Sequence, residues 1–233
     1  MEFSLLGAAA IGVACFWAML KWEAPRGNAA GCAVDLWEAG ITSAIAGVFI
    51  GRVAAMVTTG INPITDPGQI LLVRSGVSTT AAAVGAIAVF AALARRDLVT
   101  TADAIAPAAL AGFAGWHAGC VTSNACLGVE SGVPWAWSLP GSTVTRHPVE
   151  LYVAIGMALV AGVLAMWKRR GRPSPGVVAG SAVATAGALR LATEPLRISI
   201  DGGPVATYLI AAIVGVGWMT VAVLADRRIT RTG

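Results

Sequence analysis

The sequence predicts an all-α polytopic membrane protein of seven transmembrane helices, with the N-terminus outside and the C-terminus cytoplasmic. Three observations carry that prediction. The 233 residues are 57% hydrophobic and only 12% charged, with a mean hydropathy of +0.76, far too apolar for a soluble domain. Seven apolar runs, at about 3–21, 37–59, 75–94, 104–121, 148–167, 176–195 and 204–225, approach the length that crosses a bilayer. The basic residues alternate between the ends of these runs in a strongly unequal way.

Taken in order, the first run opens on Met1-Glu2 with no basic leader and is expected to be a retained span. The second carries Gly47-x-x-x-Gly51, a spacing that lets helices approach closely, and Arg52 inside its apolar stretch. The third begins beside Arg74, and the fourth ends with His117 and Cys120, three residues apart and so on one helix face. The connection 122–147 holds Gly, Pro, Trp135 and Trp137, and is expected to form a small outer cap at the interface, where tryptophan is favoured. The fifth run follows Arg146, His147 and Pro148, with Glu150 one turn in. The sixth ends in Arg190, Glu194, Pro195 and Arg197. With the seventh run these form one transmembrane domain over 1–233.

With the N-terminus outside, eleven of the sixteen basic residues fall on the cytoplasmic side and three (Arg74, Arg146, Arg197) on the outer side. The other two, Arg52 and Arg190, lie within spans. A cation at membrane depth costs about 3 kcal/mol or more and persists when it faces protein or a wet cavity. In this frame both histidines and every non-cytoplasmic arginine share one layer at or just below the outer surface, which predicts a polar chamber there. Arg190 and Glu194 are four residues apart and able to pair. Arg197 continues the same face if the helix passes Pro195. Arginines with carboxylates around a lipid-accessible chamber suit an anionic phospholipid headgroup. Plainer roles fit the same residues taken singly: Arg74, Arg146 and Arg197 as interfacial snorkellers, Glu194 as the neutraliser of Arg190, and His117 as a helix–helix hydrogen bonder. The net charge of +4 does not point to nucleic acid, because the basic residues sit at membrane edges. The four cysteines lack zinc-type spacing and no cofactor is expected, although Cys120 and Cys126 are close enough for a disulfide on an oxidising side.

The order of motifs resembles the prolipoprotein diacylglyceryl transferase family. "GVFIGRVAAMV" is similar to its G-[AG]-R-x-G-Y-V segment, with Arg52 at the arginine. "DAIAPAALAGFAGWHAGCVTSNACLG" resembles a D-x-x-A-P segment followed by G-R-x-G-[NC]-F-x-x-G-x-x-x-G, matching at Asp103, Pro107, Gly119, Cys120 and Gly128. "RHPVELY" resembles R-x-P-x-Q-L-Y, matching at Arg146, Pro148, Leu151 and Tyr152 with Glu150 in place of glutamine, and "LRLATEPLR" matches R-x-x-x-E-x-x-R at Arg190, Glu194 and Arg197. Two positions depart further. The signature arginine is His117, and Thr80 stands where the family's S-F-H-G-G segment has its histidine.

The resemblance implies a bacterial plasma-membrane enzyme. It implies transfer of a diacylglyceryl group from phosphatidylglycerol to an acceptor such as a lipoprotein cysteine. It assigns His117, Arg190 and Glu194 to catalysis, and Arg52, Arg146, Glu150, Tyr152, Arg197, Cys120 and Gly128 to the phospholipid headgroup. The reaction needs a base for the thiol and cations for the leaving phosphate. His117 is suited to the first task, since imidazole titrates near neutrality, whereas Thr80 cannot transfer a proton as histidine does. Two readings stand: a divergent transferase, and a non-catalytic homologue that binds anionic phospholipid as an accessory subunit among membrane protein partners.

Overall fold

The computed structural model describes residues 2–71, 76–120, 127–171, 173–199 and 203–232, with side chains described from Leu6 to Gln69 in the first stretch and to Arg227 in the last. Arg74, Cys126 and Arg172 lie outside the described residues. A long helix occupies each of the seven apolar runs: α1 (Glu2–Glu23), α2 (Leu36–Thr58), α4 (Thr79–Leu93), α5 (Leu98–Ala118), α6 (Val149–Gly171), α7 (Val177–Thr193) and α8 (Val205–Thr232). A four-residue helix, α3 (Gly68–Leu71), precedes α4. Five of the long helices, α1, α2, α5, α6 and α8, are long and apolar enough to cross a membrane. With 15 and 17 residues, α4 and α7 are shorter than the roughly 20 residues a perpendicular span uses.

Several helix ends differ from the sequence reading, and two of them for visible reasons. The fourth run starts at Leu98 because Asp97 accepts the Thr101 side-chain hydroxyl and Thr101 N–H bonds back to Asp97 O, so Thr100 and Thr101, which lower local hydropathy, are nonetheless helical. The sixth run stops at Thr193, and Pro195 lies in a 3-10 turn over Glu194–Leu196. The α-helix therefore does not carry through to Arg197, whose backbone is extended.

The chain forms two compact units. The first comprises residues 1–28 and 102–233. Its interior is built on small residues: Ala106, Leu110, Ala161, Leu164, Val178 and Ala182 form one buried cluster, and Ala114, Val153 and Met157 another. Close backbone approach drives this packing, since lipid gives apolar side chains no reason to leave it. A Cβ on Gly187 would stand 2.6 Å from Ala212 N on α8, so α7 and α8 touch main chain to main chain there. The N-terminus of α7 begins at Gly176, which offers no side-chain cap. Asp103 of α5 supplies one from outside, accepting from Gly176 N (2.6 Å) and Ala179 N (2.7 Å). Within residues 127–148, two short strands, β1 (Trp137–Ser138) and β2 (Thr145–Arg146), pair antiparallel with Trp137 opposite Arg146. Trp135 and Trp137 are exposed on this cap.

The second unit is residues 29–101. Asp35 caps α2 by accepting Glu38 N at 2.8 Å. The Gly47-x-x-x-Gly51 step faces α4, where a Cβ on Gly47 would lie 2.6 Å from Ala82 O and one on Gly51 2.8 Å from Ser78 O. That spacing is a genuine helix–helix contact. Arg52, 4% exposed, reaches from α2 to the carbonyls of Gly76 and Gln69 (2.6 Å for the latter), and so ties the α2–α4 connection to the helix.

Candidate functional site

The first unit brings His117, Glu150, Arg190, Glu194 and Arg197 together, and the local chain explains how. Gly128 N bonds to His147 O (2.8 Å), His147 N to Val129 O (3.1 Å), and Val129 N to Leu196 O (2.9 Å). These bonds lash the cap, the start of α6 and the turn after α7 together. Gly128 is required there, because a Cβ would collide with the Leu196 carbonyl oxygen and the Val149 side chain. Arg146 serves the same fastening, donating to Gly128 O (3.2 Å) and pairing with Glu130 (3.3 Å).

Held this way, the first turn of α6 presents Glu150 to three other elements. Glu150 Oε2 lies 2.6 Å from His117 Nδ1 at the end of α5 and 3.3 Å from Arg190 near the end of α7. Its Oε1 lies 3.0 Å from Arg197 in the following turn. Arg197 also pairs with Glu194 (3.5 Å), which accepts the Ser199 hydroxyl. Tyr208, in the first turn of α8, accepts from Arg190 (2.8 Å) and Arg197 (3.5 Å), and its ring lies under the Arg190 guanidinium, 5.0 Å from centroid to Cζ.

The geometry assigns states as well as positions. An ionised carboxylate only accepts, so the His117 Nδ1 that faces Glu150 carries the hydrogen. Burial is graded: Glu194 is 5% exposed, while the side chains of His117, Glu150 and Arg190 are 12–13% exposed and that of Arg197 30%. A cavity of about 380 Å³ lined by Leu191, Glu194, Pro195, Arg197, Ser199 and Val205 borders the cluster on its Arg197 side. Its lining combines the charged Glu194 and Arg197 with the apolar Leu191, Pro195 and Val205.

His117, Glu150, Arg190, Glu194 and Arg197 thus come together. The expected Arg190–Glu194 pair does not form among the described residues. Arg190 turns to Glu150, and Glu194 takes Arg197 instead, because the chain leaves the helix at Pro195. Tyr152 stands two residues beyond Glu150, its hydroxyl oxygen accepting Trp135 Nε1 (2.8 Å) with His147 Nδ1 at 3.1 Å. Cys120 is disulfide-bonded. Arg52 and Thr80 belong to the other unit, Thr80 in the exposed first turn of α4.

The profile of the prolipoprotein diacylglyceryl transferase family matches residues 2–225. The chain belongs to the prolipoprotein diacylglyceryl transferase family. It is also 30% identical over 120 residues to a protein of Pseudoalteromonas translucida (strain TAC 125) named phosphatidylglycerol--prolipoprotein diacylglyceryl transferase. That stretch is 51% of this chain and 45% of the relative, so the match reaches about half the relative's length.

Within this diacylglyceryl transferase family member, Tyr208 and Ser199 are site residues that sequence reasoning missed. The signal for Tyr208 was available. It is one of only two tyrosines in the chain, and it falls at the start of an apolar span on the same side as Arg190.

Proposed function

We propose that this protein is a divergent diacylglyceryl transferase working at the outer face of a bacterial plasma membrane, with phosphatidylglycerol as donor and a cysteine thiol, such as that of a lipoprotein precursor, as acceptor. The supporting observation is the joining of His117, Glu150, Arg190 and Arg197 beside a cavity lined by both charged and apolar side chains. In the proposed step the acceptor sulfur attacks the glycerol carbon that carries the phosphate ester. The S–C bond forms as the C–O bond breaks, and glycerol phosphate leaves with the electron pair. The thiol proton passes to His117 Nε2, the nitrogen not turned to Glu150. Arg190 and Arg197 hold the phosphate and stabilise its growing charge, with Tyr208 behind them.

The seven-span arrangement with N-terminus outside and C-terminus cytoplasmic is part of this proposal. It is supported by the eleven-to-three distribution of basic residues and by a disulfide at Cys120, since disulfides persist on the oxidising side. A second reading, a lipid-binding accessory subunit, is favoured by two observations: both arginines already hold carboxylates, and Thr80 brings no imidazole.

The test is release of glycerol phosphate from labelled phosphatidylglycerol by the purified protein with a cysteine-containing lipobox peptide. Release that needs both the peptide thiol and His117 is expected. Phosphatidylglycerol bound but never cleaved would give the protein to the accessory reading.

A further inference from the structure

Glu150 is bound in a way that exceeds the needs of neutralising one arginine. Its two oxygens take hydrogen bonds or ion pairs from an imidazole and two guanidiniums, at 2.6, 3.3 and 3.0 Å, each partner on a different element. These are the donors, in number and spread, that a tetrahedral phosphate diester takes. The site as it stands is filled by its own anion.

We infer that Glu150 is an internal stand-in for the headgroup phosphate and, once displaced, a positioning residue for His117. The inference rests on the headgroup reading above. A phosphodiester reaching Arg190 and Arg197 from the cavity must exchange with the Glu150 carboxylate, because both anions use the same N–H groups. Arg197 does not drift during the exchange, since Glu194 holds it from the other side and Ser199 holds Glu194. Arg190 keeps Tyr208. Glu150 is left with His117 Nδ1–H alone, a charge-assisted bond undiluted by the arginines. That bond orients the ring and supports the positive charge the ring takes on with the thiol proton. Lipid binding and readiness of the base are thereby one event. The cost is competition: the resting carboxylate weakens every anion that seeks the arginines.

The inference makes an unusual pair of predictions for one isosteric change. Glu150→Gln removes the competing charge and keeps the shape. Phosphatidylglycerol in nanodiscs should bind about tenfold more tightly, as loss of one charged competitor allows. KM should fall with it, while kcat should fall by about a hundredfold because His117 loses its carboxylate. A purely structural Glu150 would instead weaken binding and turnover together. Glu150→Asp, which keeps the charge but is too short to bridge both arginines, should bind a few-fold more tightly than the native chain by the same exchange argument. Unchanged or weaker phosphatidylglycerol binding in the folded Gln variant, or in the Asp variant if the Gln variant does not fold, would overturn the inference. If the native protein shows no turnover, the transferase reading fails on its own and the binding comparison still decides the role of Glu150.

Discussion

Helix α6 meets a carboxylate at each end, and the two are held in opposite ways. At its first turn Glu150 is shared among His117, Arg190 and Arg197, in a cluster whose members are 12–30% exposed. At its last turns, 18 residues and about 27 Å away, Lys168 takes Glu23 of α1 at 2.8 Å. Glu23 is 1% exposed, and its Oε2 finds no hydrogen-bond partner among the described residues. Lys168 has further bonds to Asn28 (2.9 Å) and Ala104 O (3.2 Å). Here the carboxylate has one ion-pair partner among the described residues, itself held by two further bonds, and the pair fixes where two helices end. A carboxylate with three partners, bordered by a cavity, can give up one or two and keep the rest. The number of alternative partners and the open side, rather than the presence of charge, separate a site from a fastening.

Breaking each region should therefore read out differently. His117→Ala should lower kcat by about 10²–10⁴ while phosphatidylglycerol still binds, since only the proton acceptor is gone; a glycerol phosphate release assay checks this. Arg190→Ala should lower kcat/KM by about 10²–10³ and abolish anionic-lipid binding in nanodiscs, because one of the two phosphate cations and the partner of Tyr208 go together. At the other end, Lys168→Met should cost about 3–5 kcal/mol of stability by leaving Glu23 buried and unpaired, and adding Glu23→Gln should recover most of it. Thermal unfolding in detergent measures both. The smallest effect belongs to Glu130, whose side chain is 70% exposed. Glu130→Ala should change stability by less than about 1 kcal/mol, even though Arg146 on the same hairpin is tied to the cap.

The positions of the long helices were legible in the sequence, because a run of apolar residues has few other uses. Helix ends were less so. The sequence reading puts the fourth span from about residue 104, yet side-chain bonding between Asp97 and Thr101 starts α5 at Leu98. That Arg190, Glu194 and Arg197 lie close together could be read from spacing, but their pairing could not. It depends on where Pro195 ends the helix and on Glu150 arriving from another element. Asp103 looked like part of a family motif and is a cap for α7, a role that needs two helices to be seen at once. The β1–β2 hairpin escaped because strands of two residues have no periodicity to detect.

The most direct test sets the two ends of α6 side by side. Phosphatidylglycerol binding should be measured in nanodiscs for the native protein, Arg190→Ala, and the folded Glu23→Gln/Lys168→Met pair. Loss of binding in Arg190→Ala alone is the predicted result. Equal binding by all three would contradict the assignment of the His117–Glu150–Arg190–Arg197 cluster as the headgroup site.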